Sequence, residues 1–389
     1  MLGSIYKGLA GMLSFSNGLS GISSNVGNLN TTAYKKNDNS FTSLVSHNGT
    51  QNDGVKSLAP QMILAQGDLK ETGENTDVSI EGAGFFVIEK NGEYLLTRDG
   101  QFRFSQDGFL TLRDDDAFVM VNVNGSLQKV NSENYQDGPF KVTSEVELKG
   151  KLLTKYDNHT ISDVIVIDGS GNKRTLTIEM TTLDTEIDNQ WFVEVYEDDK
   201  LLTGPVSIEF LQNGTPKEGF NKISMSIESD RGIQSDFTIN FGEAGLYSGV
   251  QNSNSNTGES TAAFEEQDGN ELGSLSNISI DEYGRFQFNY SNEEERTGPQ
   301  LAITNITSPD HLISFENNMF RLDNSLDLKL VDPRAIGATI SGGKLELSNV
   351  ELSQEFSEMI IVQRGYQASS QVMTTANEML QQLLEATKG

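Results

Sequence analysis

Residues 352–384 read LSQEFSEMIIVQRGYQASSQVMTTANEMLQQLL and carry the longest regular pattern in the chain. Positions at alternating steps of four and three along this stretch form a heptad seam, typical of an α-helix that packs in a coiled coil. Polar residues interrupt the seam, which lowers stability but fixes register and the number of partners. Gly365 is expected to cost about 1 kcal/mol relative to Ala. The predicted assembly residues of this seam are Leu352, Phe356, Met359, Gln363, Tyr366, Met373, Leu380 and Leu384.

A second seam lies at the other end of the chain. Apolar residues recur every three or four positions from Leu2 to Leu29, which predicts a helix roughly 40 Å long. Many Gly and Ser residues stand between them, so this helix is weak in isolation. The predicted assembly residues here are Leu2, Ile5, Leu9, Met12, Leu19, Ile22, Val26 and Leu29.

The two terminal helices are expected to pair with each other or with copies of themselves. The alternative is that they are ordinary amphipathic helices covering a β core. Neither helix buries enough apolar surface alone to offset an ordering cost of about 1–2 kcal/mol per residue. We therefore expect the ends to be disordered in the monomer and to fold on assembly, as in a polymer-forming subunit.

The region between the helices is strand-like. The dipeptides Asn91-Gly92, Asp99-Gly100 and Asp107-Gly108 follow one another every eight residues and separate alternating stretches, which predicts a β-meander. Another hairpin is predicted around Asp168-Gly169. No helical stretch of 10–15 residues interrupts the strands, which argues against βαβ folds. The fold class is therefore mainly β with terminal α-helical coiled coil.

Composition excludes several classes of function. The chain has 389 residues, a formal net charge of −28 and no cysteine. Residues 41–349 carry −27 of that charge. Such acidity disfavours nucleic acid and anionic membranes as partners. The longest apolar run, Ala117–Val121, is too short for a signal peptide or a membrane helix.

No catalytic or metal-binding constellation is apparent. The acidic triplet Asp114-Asp115-Asp116 lacks the spacing of a calcium loop, and Gly82-Ala83-Gly84 precedes a strand rather than a helix. We therefore expect no catalytic residues, no cofactor and no metal. The competing hypothesis from another class is a secreted enzyme or adhesin on a β scaffold, which predicts a stable monomer with ordered termini.

Residues 24–35 read SNVGNLNTTAYK and resemble the N-terminal signature of the bacterial flagellar rod and hook axial proteins, with Ala33 where the family has Gly. The stretches GAGFFVI (82–88) and TRDG (97–100) are similar to its first β-domain signature. The signature positions that match are Asn25, Asn28, Thr31, Tyr34, Lys35, Ser348, Asn349, Val350, Gln363 and Arg364.

Within that family, the resemblance favours the hook proteins over the rod proteins, because the chain has room for a second β domain inserted in the first. The return into the first domain after residue 267 is also similar to theirs, with Glu293 where a Gly usually follows. The expected domains are a coiled coil (1–30 and 350–389), an extended connector (31–65), a first β domain (66–145 and 273–349) and an inserted outer β domain (146–272).

The resemblance implies a structural subunit that polymerises into a curved hollow tube, a universal joint between rod and filament, with the terminal coiled coils as its inner wall. Implied partners are copies of itself, the rod, the hook cap, the hook–filament junction proteins and the flagellar type III export apparatus. The protein would leave the cell without a cleaved signal peptide and reside in the extracellular flagellum. Phe41 and Val45 fit the family's export element, the alternative being two apolar residues that pack in a connector. A distal rod protein is the alternative within the family.

Overall fold

The structure is a computed structural model that describes residues 2–45, 52–182, 189–255, 257–323 and 327–386. A helix lies at each end of the described chain, α1 (Leu2–Gly27) and α2 (Leu352–Ala386). Both predicted terminal helices are thereby confirmed, with β structure between them. No helix among the described residues is long and apolar enough to span a membrane.

The chain divides into two compact units. The first comprises Met1–Asn134, Ile278–Phe288 and Thr297–Gly389, and the second comprises Tyr135–Asn277 and Asn289–Arg296. The inserted unit thus begins at residue 135, where 146 was expected, and its main segment ends at 277, where 272 was expected. Both helices belong to the same unit as the first β domain.

Strands of the N-terminal part form short hairpins and the start of a large sheet. They are β1 (Asn37–Asp38), β2 (Phe41–Val45), β3 (Asn52–Ser57), β4 (Gln61–Met62), β5 (Leu69–Glu71), β6 (Val78–Glu81), β7 (Phe85–Lys90), β8 (Glu93–Thr97), β9 (Phe102–Phe104), β10 (Leu110–Leu112), β11 (Phe118–Val123) and β12 (Ser126–Lys129).

Nine strands lie wholly within the described part of the inserted unit. They are β13 (Glu145–Leu153), β14 (Asn158–Ile167), β15 (Lys173–Thr181), β16 (Gln190–Glu197), β17 (Lys200–Glu209), β18 (Lys222–Glu228), β19 (Gln234–Asn240), β20 (Val250–Ser253) and β21 (Ala263–Gln267).

The chain then returns to the large sheet and ends in two short strands before α2. These strands are β22 (Leu275–Ile280), β23 (Arg285–Tyr290), β24 (Glu295–Leu301), β25 (Ile303–Thr304), β26 (Leu312–Ser314), β27 (Met319–Leu322), β28 (Thr339–Gly342) and β29 (Lys344–Glu346).

The large sheet has twelve strands, and its central path runs β22-β23-β24-β11-β7-β8-β27-β26. The predicted turn at Asn91-Gly92 joins β7 to β8, with both residues at positive φ (53° and 81°) as a tight hairpin requires. The expected hairpin at Asp99-Gly100 is wrong, because β8 pairs with β27 instead of β9. Gly100 packs against the backbone of Val78, where a Cβ would lie 1.7 Å from the carbonyl oxygen.

The inserted unit places one core between two sheets. One sheet has the order β14-β15-β16-β17, and the predicted hairpin at Asp168-Gly169 joins its first two strands. The other sheet contains β18, β19, β13, β20 and β21. Burial alternates residue by residue along β18, as expected for a strand with one face inward. The core between the sheets includes Trp191, whose side chain is fully buried.

The connector expected over residues 31–65 is more structured than an extended linker. Strands β2 and β3 pair with each other, and β1 pairs with β4. The β2–β3 hairpin packs on α1, where the Ser14 hydroxyl donates to the carbonyl oxygen of Val55 at 2.9 Å. This segment therefore covers part of α1.

Candidate assembly interface

The two terminal helices pack against each other in antiparallel orientation. Gly8 of α1 lies against Ser369 and Met373 of α2, whereas Asn25 near the other end of α1 bonds to Glu355. The start of α1 therefore lies beside the C-terminal half of α2, and the end of α1 lies beside the start of α2. The prediction that the two helices pair with each other is confirmed, although whether they form before assembly stays a prediction.

Glycine allows the helices to approach closely. A Cβ on Gly11 would lie 2.6 Å from the Ser369 hydroxyl, and a Cβ on Gly365 would lie 2.6 Å from the ring of Phe15. Both distances are shorter than a real Cβ contact, so a larger residue at either position would force the Ser369 or Phe15 side chain to move. The low helix propensity of these glycines does not predict their role in packing, which the structure adds.

Many inward residues of both helices precede a predicted seam residue by one position, although Ile22 is both predicted and buried. On α2 the buried side chains are Glu355, Val362 and Ala376, whereas positions 356, 363 and 377 are exposed; Ser369 and Ser370 are both half-buried. On α1 the buried positions include Gly8, Gly11, Ser14, Gly18 and Asn25. The apolar periodicity marks the broad stripe of each helix, but the tightest contact goes to the smaller residues beside it.

The predicted seam residues consequently lie in different environments within one chain. Ile22 is buried, and Ile5, Met12, Leu19, Val26, Leu29, Met359, Met373 and Leu380 are half-buried. Leu9, Leu352, Phe356, Gln363, Tyr366 and Leu384 are exposed. The side chain of Leu2 lies outside the described part. Contact of the exposed members with other copies stays a prediction.

Helix α2 keeps two apolar flanks that α1 does not cover. Flank A comprises the exposed residues Ile361, Val372, Met379 and Leu383, and flank B comprises the exposed residues Leu352, Phe356, Tyr366 and Leu384. At 100° per residue the two flanks are about 150° apart, with the α1 contact between them. The remaining face is polar apart from Ile360 and includes Arg364, Gln367, Gln371 and Glu378.

The N-terminal signature residues meet α2 at a buried polar cluster. The Asn25 amide donates to Glu355 Oε2 at 3.0 Å and to the carbonyl oxygen of Asn37 at 3.0 Å. The Asn25 Oδ1 accepts from the Tyr34 hydroxyl at 3.3 Å. Lys36 Nζ lies 3.6 Å from Glu355 Oε1 and supplies the compensating charge. These contacts fix the exit of the chain from α1 relative to α2.

A second cluster joins the connector to the β domain through a buried carboxylate. Glu346 accepts from Lys35 Nζ at 2.6 Å and lies 3.4 Å from a guanidinium nitrogen of Arg98. The three side chains are at most 4% exposed. Burial lowers the pKa of Lys35, and the Coulombic attraction and hydrogen bond of Glu346 oppose that change. Neither Glu346 nor Glu355 was predicted as a site residue. The sequence offers a signal for Glu346 alone, a charged residue between Leu345 and Leu347.

Asn349 holds the C-terminal signature to the connector. Its amide nitrogen donates to the carbonyl oxygens of Ile63 and Ala65, both at 2.9 Å, and its Oδ1 accepts from the Lys36 backbone at 2.7 Å. Val350 is buried and its N–H donates to the Ser348 hydroxyl at 3.4 Å.

The other signature residues act locally or face outward. The Asn28 amide donates to the Ser24 carbonyl oxygen, and the Thr31 hydroxyl donates to Asn28, so both stabilise the turn after α1. Gln363 and Arg364 are exposed on α2. The structure thus brings Asn25, Tyr34, Lys35 and Asn349 into buried networks and leaves the last two signature positions on the surface.

Ala33 adopts a backbone conformation that glycine usually supplies. Its φ is 55°, it is 1% exposed, and its N–H donates to the carbonyl oxygen of Glu346 at 2.8 Å. An L-residue in this region costs roughly 1–2 kcal/mol. The turn therefore keeps the geometry expected of the family's Gly even though an Ala occupies it.

The predicted export element lies partly in a folded contact. The ring of Phe41 packs against that of Phe15, with centroids 5.5 Å apart, and covers Gly18. The side chain of Val45 lies outside the described part. The packing role that was the alternative for Phe41 is confirmed, and the export role stays a prediction.

The acidic triplet is tied into the surface by ordinary contacts. Asp115 accepts from Lys90 at 2.7 Å and from Asn317 at 3.0 Å, and its pKa is lowered by these bonds against the opposing effect of desolvation. Across the described residues, no group of three or more His, Cys, Asp or Glu side chains is placed to hold a metal ion.

Comparison with known proteins identifies relatives over almost the whole chain. Residues 341–386 match the family model described as "Flagellar basal body rod FlgEFG protein C-terminal". The flagellar hook protein FlgE of Rhizobium meliloti is 27% identical over 99% of this chain and 98% of its own length. That of Treponema pallidum is 24% identical over 99% of each chain, and that of Salmonella typhimurium is 23% identical over 98% and 99%.

A solved structure of a flagellar hook protein is among the matches. The Helicobacter pylori flagellar hook protein FlgE2 is 11% identical, with a TM-score of 0.34 over 70% of this chain and 98% of the other. This similarity is too low to describe the fold, which is therefore described from the helices and strands of this chain alone.

Proposed function

We propose that the chain is a flagellar hook protein, the subunit that polymerises into the curved hollow tube of the hook. In this role it transmits torque from rod to filament as a universal joint. The role is structural and requires no catalytic step. The similarity to hook proteins along 98–99% of the chain supports the assignment.

The observation that carries the proposal is the pair of uncovered flanks on α2. Flank A and flank B contain different residues and point in different directions, so one copy offers two dissimilar apolar surfaces. Dissimilar surfaces on one subunit favour head-to-tail contacts, which build rings or open helical polymers. Neighbouring copies would cover both flanks, and the polar face of α2 would then be left for the wall of the channel.

The inserted unit supports the hook over the rod. The family model spans both types of protein at residues 341–386, so that match alone does not separate them. The inserted unit adds residues 135–277 to the first β domain, and the relatives that match over the full length are named hook proteins. A distal rod protein would give a straight tube, and cells lacking it would fail before any hook appears.

Bending requires contacts that slide. Residues 135–277 and 289–296 carry a net charge of −17, so neighbouring copies of this unit repel each other at short range. We place this unit on the outside of the tube, where many small polar contacts permit movement without one hydrophobic lock. The helices form the inner wall.

The remaining partners follow from the same role. The ends of the tube would contact the rod, the hook cap and the hook–filament junction proteins. The subunit would reach its extracellular position in the flagellum through the type III export apparatus, without a cleaved signal peptide. In this proposal Phe41 and Val45 act before folding, because Phe41 packs on α1 afterwards.

Deletion of the gene tests the function directly. Electron microscopy of basal bodies from the deletion strain should show rods without hooks, and the intact gene should restore curved hooks. Basal bodies that stop before the rod is complete would assign the chain to the distal rod. Normal hooks in the deletion strain would overturn the proposal.

A further inference from the structure

An apolar cavity opens on the surface of the helix pair. Its volume is about 180 Å³, and its lining includes Gly18, Ile22, Phe41 and Val362. Ile22 and Val362 are buried, whereas Ile361 at the edge is 67% exposed. The cavity is thus a concave, apolar site next to flank A.

Gly18 lets the Phe41 ring pack closely at the edge of the cavity. A Cβ there would lie 2.7 Å from Cζ of Phe41 and 3.7 Å from Cγ1 of Val362, so a side chain at this position would displace the ring. An engineered apolar cavity of about 150 Å³ in another protein holds a benzene ring. The present cavity therefore has room for one aromatic side chain.

The rim of the cavity selects the kind of occupant. Asp38 and Glu358 line it and retain solvent exposure, so the rim is negative. An apolar group that brings a cation or a hydroxyl donor complements this rim, whereas one that brings a carboxylate does not. Phe356 stands between Glu355 and Glu358 and therefore fits poorly.

Tyr6 and Lys7 have the required chemistry. Tyr6 is 70% exposed, the highest value among the large apolar side chains described. Lys7 follows it, and residues 1–34 contain no acidic side chain. We propose that Tyr6 of a second copy of this chain inserts into the cavity, with its hydroxyl and Lys7 at the carboxylates of the rim. This inference rests on the proposed function as a polymer subunit.

The proposal fixes a displacement between the copies. Twelve residues separate Tyr6 from Gly18 on the same straight helix, which corresponds to about 18 Å along its axis. Copies with parallel α1 helices would therefore be staggered by about 18 Å. The contact joins two different surfaces, so it propagates from copy to copy.

Cross-linking between single-cysteine subunits tests the contact, since the chain has no native cysteine. One subunit carries Gly3→Cys, one turn before Tyr6, and a size-tagged subunit carries Ser40→Cys beside the cavity; both positions are exposed. A short bismaleimide reagent should join them in the mixed polymer. The control pair replaces Gly3→Cys by Asn17→Cys, exposed on the same face of α1 about 21 Å from Gly3, and should give no product.

Substitutions at the contact provide a second readout. Tyr6→Ala should raise the subunit concentration needed for assembly about tenfold or more, and Tyr6→Phe much less. Leu13→Ala, also on an exposed apolar residue of α1, is the matched control and should have a smaller effect. Lys7→Glu should weaken assembly, and Asp38→Lys in the same chain should restore part of it.

The outcomes separate the two proposals. A subunit that forms no tube under any condition contradicts the proposed function. A normal tube in which Asn17→Cys, but not Gly3→Cys, joins Ser40→Cys contradicts this contact alone. Equal effects of Tyr6→Ala and Leu13→Ala, with no rescue by Asp38→Lys, would also overturn it.

Discussion

The ammonium group of Lys35 donates to the carboxylate of Glu346 at 2.6 Å, with both side chains at most 1% exposed. The same carboxylate accepts from the backbone N–H of Gly67 at 2.9 Å and lies 3.4 Å from a guanidinium nitrogen of Arg98. One buried anion thus joins residues that are distant in sequence, among them Lys35 of the N-terminal signature and Arg98 of the TRDG stretch. Its removal leaves two buried cations without a counter-charge.

Glu346→Gln should lower the free energy of unfolding by about 3–5 kcal/mol, because breaking a buried ion pair exposes the full desolvation cost of the remaining charge. Glu265→Gln is the matched control, since its partner Lys149 is 65% exposed, and should change stability by less than about 1 kcal/mol. Chemical denaturation of both variants measures the difference. Equal losses of unfolding free energy in the two variants would show that the buried contacts of Glu346 do not stabilise the fold.

Gly365→Ala should disrupt the helix pair, because the added Cβ would lie 2.6 Å from the Phe15 ring. Overpacking of this kind costs about 1–3 kcal/mol. Gly3→Ala, where nothing lies within 4 Å, should be neutral or gain up to about 1 kcal/mol from helix propensity. Far-UV circular dichroism and electron microscopy of the tubes provide the comparison. A Gly365→Ala protein that assembles like the parent would refute the close contact.

Deletion of residues 1–25 or of 360–389 should leave a soluble protein with folded β units that does not polymerise. Each deletion removes one helix of the pair, whereas the cores of the β sheets lie outside it. Size-exclusion chromatography, circular dichroism and electron microscopy report monomer state, strand content and tubes. Normal tubes from either truncation would contradict the role of the ends.

The carboxyl of Asp99 should make stability fall as pH rises from about 4 to 6. Burial raises its pKa from 3.8 to about 6, with Asp114 and Asp77 adding to the rise and the Gln101 backbone and Arg113 opposing it. The folded state therefore holds a proton that the unfolded state has lost between these values, so deprotonation disfavours folding. Relative to Asp99→Asn, the parent should lose about 1–3 kcal/mol over this range. A constant difference in denaturation midpoints between pH 4 and 6 would contradict the prediction.

Glu293→Gly should stabilise the protein by about 0.5–1 kcal/mol. Glu293 is exposed, with φ at 64°, a conformation that glycine adopts without the penalty paid by other residues. Glu294, the next residue, is not among the described residues with positive φ. Glu294→Gly therefore relieves no backbone strain and should destabilise the protein slightly. Thermal unfolding of the two variants distinguishes the effect of conformation from that of removing a charge.

The sequence predicts the helices well but their contact face less well. The heptad pattern locates α2 to within two residues of its observed bounds, Leu352 to Ala386. Periodicity, however, follows the apolar stripe, and a helix can turn its small residues inward when glycines on both partners permit closer approach. Val362 and Ser369, each one position before a residue of the heptad pattern, face α1 for this reason. The sequence of one helix alone does not reveal this contact face.

The signature motifs identify residues of the two buried polar clusters but do not identify the partners of these residues. Asn25, Lys35 and Asn349 are recognised by resemblance, but their partners Glu355 and Glu346 are separated from the first two by more than 300 residues. Local sequence carries no signal for such pairs. The prediction of a hairpin at Asp99-Gly100 was wrong for a related reason. Strand β27, which lies much later in the chain, pairs with the edge of β8 in place of β9.

The contact of Phe15 with Gly365 has a consequence for the order of folding. The two residues are 350 positions apart, so their contact has one of the largest sequence separations available to this chain. Closing a loop of that length costs about 5 kcal/mol of chain entropy, whereas hairpins such as β7–β8 close locally. The helix pair should therefore form last, after both β units have shortened the path between the ends. It then serves as a checkpoint for completeness: a chain that stops before residue 352 can fold its sheets, yet it never presents the paired ends with which a subunit joins the tube.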